Sequence, residues 1–73
     1  MDSQTQLLGQ FVKDKRKSAN LTQADLSAKT GVGLRFIREL ENGKMTLKMD
    51  KVNQVLNMFG HELMPMPVNR QKK

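Results

Sequence analysis

The sequence predicts a mainly α-helical domain of four to five short helices, closed by one short C-terminal β-strand. Two patterns carry the helices. Apolar residues recur three and four apart instead of alternating, which is the period of a helix buried along one face. Asn20, Gly31, Gly43 and Gly60 fall where those stripes stop, as helix-ending residues do. A third observation sets the last segment apart: Pro65 and Pro67 exclude a regular helix after Gly60.

Size and composition narrow the rest. A chain of 73 residues makes one small domain, whose core is marginal on its own and is expected to lean on a partner. The absence of cysteine excludes disulfides, thiolate metal sites and cysteine nucleophiles. With a single histidine and little room for a closed pocket, neither an enzyme nor a bound metal or cofactor is expected. Lys and Arg number 13 against 7 Asp and Glu, a net charge of +6. That balance favours a polyanionic partner, nucleic acid first, although many small soluble domains are basic. No apolar run approaches the ~20 residues that span a bilayer. The opening residues MDSQTQ lack the basic start and apolar stretch of a signal peptide. A cytoplasmic location is the expectation.

The first helix is expected from about Thr5 to Ser18, capped by Ser3 or Thr5, with Leu7, Leu8, Phe11 and Val12 as its apolar stripe. The basic run Lys13–Lys17 falls at its C-terminal end, where cations suit the helix dipole, and Asn20 breaks it. Thr22 is a good N-cap for the second helix, with Asp25 following in the same first turn. Leu26 faces inward there, and Ala24 and Ala28 are small enough for close packing. Gly31 sits where a left-handed residue is needed, and Val32 is the apolar residue of the turn. The third helix is expected from near Gly33 to Gly43, with Ile37 and Leu40 inward and Arg35, Arg38, Glu39 and Asn42 outward. The fourth begins after Thr46 and ends at Gly60, with Met49, Val52, Val55, Leu56 and Phe59 as its stripe. Residues 1–60 are then the folded domain, 61–68 the strand, and 69–73 a polar, basic tail without fixed structure.

The chemistry concentrates between Leu21 and Gly43. The turn from Thr30 to Gly33 is so short that its flanking helices must cross steeply, as in a helix-turn-helix. In that arrangement the second helix rests over DNA phosphates and the third enters the major groove. Arg35 and Arg38 are the base-reading candidates, because a guanidinium matches O6 and N7 of guanine, a contact that discriminates by about 1–3 kcal/mol. Gly33 and Leu34 lie at the tip that goes deepest, with Leu34 in reach of a thymine methyl. Glu39 could accept from cytosine or pair with either arginine. Thr22, Gln23, Lys44, Lys17, Arg16, and Asn42 with the amides around it are the phosphate candidates. An ordinary solvated face would explain the arginines if they stood alone. Phe36 is expected to pack rather than to reach a sugar, and His61 to serve as a turn or strand-start residue.

The pattern Thr22-Gln23-x-x-Leu26-x-x-x-x-Gly31-Val32, then Phe36-Ile37-x-x-Leu40-Glu41-Asn42-Gly43-Lys44, resembles the Cro/C1-type, or XRE, helix-turn-helix family over about Leu8 to Gly60. The resemblance implies that Gln23 and Lys44 lie at the DNA backbone and that Gly33, Leu34, Arg35 and Arg38 approach bases. It also implies a partly buried ion pair between Arg16 and Glu41, linking the first helix to the end of the third. Phage repressors of this family continue with a fifth helix after the position of Gly60, where this chain has GHELMPMPV. In a strand, Pro65 and Pro67 would lose their donors on one edge, whereas Glu62, Met64, Met66 and Val68 keep theirs on the other. The simplest mate is the same strand of a second copy. Such a homodimer would bury Leu63 and Met64 or Met66 with Phe59 and the fourth helix, and would set two recognition helices about 34 Å apart on a palindromic operator.

A Cro-like domain with a strand in this position is similar to HipB-type antitoxins. The segment GLRFIRELENGKMTLKMDKVNQVLNMFG is similar to the small Y4mF-type regulators of that branch. That similarity implies a nucleoid-associated repressor of its own toxin–antitoxin operon, with a HipA-like serine/threonine kinase toxin as protein partner. Two other readings stay open. One is a stand-alone regulator without a toxin. The other is a protein-binding adaptor whose charge is directed at an acidic surface and whose six methionines suit adaptable contact.

Overall fold

The computed structural model describes residues 3–44 and 46–67. Along them run α1 (Ser3–Ser18), α2 (Gln23–Thr30), α3 (Leu34–Glu41) and α4 (Met49–Met58). No strand occurs among the described residues, and no helix there is long and apolar enough to cross a membrane. The third helix packs against both α1 and α2, and α2 packs in turn on α4. Their shared core consists of Val12, Leu26, Val32, Ile37, Leu40, Val52, Val55 and Leu56. Each element contributes, so no helix can leave without opening the interior of the others.

The helix ends explain why such short helices persist. α1 stops at Asn20, whose φ of 59° lets the Leu21 N–H donate back to the Arg16 carbonyl at 3.0 Å. The same closure ends α3, where the Lys44 N–H reaches the Glu39 carbonyl at 3.0 Å, and α4, where the His61 N–H reaches the Leu56 carbonyl at 3.0 Å. His61 follows that turn directly, and its Nδ1 lies 2.7 Å from the Phe59 carbonyl oxygen. At the start of α2, the Asp25 N–H donates to the Thr22 hydroxyl and the Thr22 N–H donates to the Asp25 carboxylate, both at 3.0 Å.

The Thr22 N–H, and after it the Thr22 side chain, holds the Asp25 carboxyl below the usual range. A carboxyl shifted down on folding stabilises the fold above its unfolded value, and that contribution disappears as the pH falls through the folded value. Asp25→Asn should therefore flatten the acid limb of stability. Between about pH 5 and pH 3, the melting midpoint of the native chain should fall further than that of the variant. Parallel midpoints in a pH series of thermal melts would show that the box does not act this way.

Several expected details are corrected. α1 already includes Ser3 and Thr5. α3 is bounded by Gly33 and Asn42 as caps and stops at Glu41. α4 starts at Met49 rather than after Thr46, because Lys48 is still extended at φ −71° and ψ 128°, and it ends at Met58. Met49, the first helical residue, stands clear of the core at 68 % exposure, so the buried stripe of α4 begins at Val52. Leu7 is equally exposed at 68 %, which leaves Leu8, Phe11 and Val12 as the packed face of α1. Met58 is exposed as well. Ala24 and Ala28 are exposed, because each lies two residues from Leu26, about 200° around the helix.

Residues 61–67 form neither helix nor strand. A strand needs a ladder partner, and the single chain offers this segment none among the described residues. Leu63 packs half-buried against the core, and its N–H donates to Asn53 Oδ1 at 2.7 Å. Phe59 is likewise half-buried against the core, whereas Met64 and Met66 are 77 % and 72 % exposed. Val68 and the expected tail 69–73 lie outside the described residues.

Candidate nucleic-acid interface

The turn between α2 and α3 is fixed from several directions. Gly31 is left-handed, with φ 79°, and its N–H donates to the Ser27 carbonyl at 2.9 Å. The Ser27 hydroxyl donates to the Val32 carbonyl at 2.6 Å, and the Thr30 hydroxyl to the Leu26 carbonyl at 2.8 Å. From α4, Gln54 Nε2 donates to the Thr30 carbonyl at 2.6 Å. Val32 is sealed in the core beneath. The direction in which α3 leaves the turn is therefore set by hydrogen bonds on one side and by burial on the other.

Along α3 the two faces separate as the sequence predicts. Ile37 and Leu40 are buried, Leu34 and Phe36 are half-buried, and Arg35 and Arg38 are exposed. Phe36 packs on the core. Gly33 takes the N-cap position at φ −59° and ψ 147°, with no side-chain cap bond. Any residue can adopt that backbone, and a Cβ there would meet no atom within 4 Å. Nothing among the described residues requires a glycine at this tip.

The far end of α3 is held by a buried ion pair. Arg16 Nε donates to Glu41 Oε2 at 2.7 Å and Arg16 Nη2 to Glu41 Oε1 at 3.0 Å, and the Glu41 side chain is 1 % exposed. The remaining Arg16 nitrogen, Nη1, donates to the Leu21 carbonyl at 2.8 Å. Hydrogen bonding to Glu41 raises the pKa of the guanidinium despite its partial desolvation, so Arg16 stays charged. Arg16 is thus bound up in the fold, not presented to phosphate. Glu41 Oε1 also accepts from Gln23 Nε2 at 3.1 Å, which ties the first residue of α2 to the same carboxylate.

The other expected contacts divide. The amides around Asn42 are taken up inside the chain: Asn42 N–H donates to Arg38, Gly43 N–H to Leu40 and Lys44 N–H to Glu39. Only the Asn42 side chain and the Lys44 ammonium remain of that group. Thr22 and Lys17 are exposed, and Gln23 is half-buried. Glu39 faces two cations, Arg35 Nε at 3.5 Å and Lys44 Nζ at 3.4 Å.

Sequence reasoning missed the residues that lock this geometry from behind, Ser27, Gln54 and above all Gly9, and it missed Asn53, which holds the Leu63 N–H. A Cβ on Gly9 would stand 2.6 Å from the Leu40 carbonyl oxygen and 2.8 Å from that of Glu41. The only signal for Gly9 was a glycine inside an otherwise helical pattern, which usually has a packing reason.

Comparison with known proteins agrees with this geometry. A family described as a helix-turn-helix domain matches residues 9–63. An "Uncharacterized HTH-type transcriptional regulator y4mF" of Sinorhizobium fredii (strain NBRC 101917 / NGR234) is 49 % identical over 53 residues, covering 73 % of this chain and 70 % of the relative. No solved structure matches. The matched span contains the turn, the exposed arginines and the buried ion pair alike, and the chain belongs to the XRE-type helix-turn-helix family of DNA-binding transcriptional regulators, among its y4mF-type members.

Proposed function

We propose that the chain is a sequence-specific repressor, in which a homodimer sets two copies of α3 into successive major grooves of a palindromic operator. The observation that carries this reading is the exposed pair Arg35 and Arg38 on a helix whose other face and both ends are fixed by the core, the turn and the Arg16–Glu41 pair. Rigid presentation matters because base edges are read by geometry. Gly33 supports it further: with no internal reason for a glycine, the missing side chain clears room for DNA at the tip, beside Leu34. Thr22, Gln23, Lys17, Asn42 and Lys44 flank that helix as phosphate contacts, and Glu39 lies among the base readers.

Titration with the duplex upstream of the chain's own reading frame, and with a shuffled duplex of the same composition, tests the reading. Arg35→Ala or Arg38→Ala should remove about 1–3 kcal/mol of preference. Lys44→Ala should weaken both duplexes alike and reduce the salt slope by about one. Equal losses on both duplexes from the arginine variants would contradict the assignment of bases to these residues.

The C-terminal segment supports the homodimer. Pro65 and Pro67 bias the residues before them, Met64 and Met66, away from helical backbone and toward the extended region. On one edge, Leu63 already donates to Asn53, and the two prolines have no N–H. The opposite edge, with Glu62, Met64 and Met66, is the one left for a second copy, which would also cover the exposed methionines and pack near Leu63 and Phe59. The likeness of residues 33–60 to HipB-type antitoxins extends the reading to repression of the chain's own toxin–antitoxin operon at the nucleoid, with a HipA-like kinase as protein partner. Copurification with the product of an adjacent kinase-like reading frame tests that extension.

A further inference from the structure

A carboxylate sits in the middle of the cationic face of α3. Glu39 Oε2 lies 3.5 Å from Arg35 Nε, and Glu39 Oε1 lies 3.4 Å from Lys44 Nζ. One side chain thus holds a base-reading cation and a phosphate-binding cation together. Arg38 differs: among the described residues it has no carboxylate within ion-pair distance.

Phosphates of any duplex compete for Lys44, whatever the sequence. Once Lys44 turns to a phosphate, one Glu39 oxygen loses its partner and faces a polyanion at close range. The resulting repulsion opposes docking on every sequence equally. Relief requires a base edge that donates into the groove. A C·G pair supplies it, because cytosine N4 donates to a carboxylate while the O6 and N7 of its guanine accept from an arginine. Glu39 and Arg35, one helical turn apart on the same face, carry both complementary groups.

We propose that Glu39 is a specificity-determining residue that acts chiefly by penalising wrong sequences. It closes a clamp on Arg35 and Lys44 in the free chain, and only a suitably placed C·G pair gives its carboxylate a new partner on DNA. This rests on the reading of α3 as the groove-entering helix.

The test uses the full chain with the upstream duplex and the shuffled duplex over a series of salt concentrations. Glu39→Gln should bind the shuffled duplex about 3–10-fold more tightly, since two surface ion pairs and one repulsive charge are removed. Its salt slope should steepen by about one, as Lys44 then arrives unpaired. Affinity for the upstream duplex should rise less or fall, so the preference shrinks. In a Lys44→Ala background the change in slope should vanish. The substitution is isosteric at a half-buried side chain, and matched thermal midpoints confirm that the fold is kept. Unchanged affinity and slope on shuffled DNA, or equal weakening on both duplexes, would overturn the proposal. If the native chain itself showed no preference between duplexes, the groove-helix reading would fall first, and this one with it.

Discussion

Glu41→Ala should remove a large share of the protein's stability. Removing one partner of a buried, hydrogen-bonded ion pair costs about 3–5 kcal/mol, because the other charge is left without a partner. A domain of this size has roughly 4–11 kcal/mol in total. The loss here falls at the upper end of that range for a structural reason. Glu41 accepts from Arg16 through both oxygens and from Gln23 through one, so alanine frees donors on α1 and α2 together. The paired replacement Arg16→Met with Glu41→Leu should recover much of the stability, since apolar pairs of similar size often match or exceed a buried ion pair. Urea melts of the variants measure both effects. A loss below about 1 kcal/mol for Glu41→Ala would mean that the pair behaves as an exposed one.

The second large effect concerns Gly9, and its sign is diagnostic. By helix propensity alone, Gly9→Ala inside α1 should stabilise by about 1 kcal/mol. The structure predicts the reverse. The added Cβ would meet the Leu40 and Glu41 carbonyl oxygens at 2.6 and 2.8 Å, and these are backbone atoms that cannot rotate away. Alanine should destabilise by about 1–3 kcal/mol, and valine by more. The same intrusion pushes the end of α3 away from α1, where Arg16 must reach Glu41. Gly9→Ala and Glu41→Ala should therefore be strongly non-additive in a double-mutant cycle, as neighbouring sites are. A gain in melting temperature for Gly9→Ala would show that the α1–α3 approach is looser than the structure has it.

The frame of the molecule was legible because its signals are local. Helix ends at Asn20, Gly31, Gly43 and Gly60 announce themselves through residues that accept a left-handed backbone, and all four do adopt it. Burial of Ile37 and Leu40 opposite Arg35 and Arg38 follows from helical period. The Arg16–Glu41 pair was different. Its members lie 25 positions apart, and only the family resemblance joined them. What stayed hidden was set by tertiary geometry. An apolar residue at a helix start, such as Leu7 or Met49, reads like a core residue until the neighbouring elements are placed. A serine, a glutamine or an asparagine looks like surface until Ser27, Gln54 and Asn53 are seen bonding backbone groups across elements. The amides near Asn42 looked available because sequence does not show that the helix end has already taken them up.

Cleavage protection on the chain's own promoter tests the central claim most directly, that a rigidly held α3 reads bases as one of a symmetric pair. With folded protein at low ionic strength, the claim predicts two protected tracts whose centres lie about 10 base pairs apart, on the same side of the duplex. Arg38→Ala should weaken both tracts together while leaving the thermal midpoint in place. One continuous, sequence-indifferent protected region, or no protection by a protein that melts cooperatively, would contradict it.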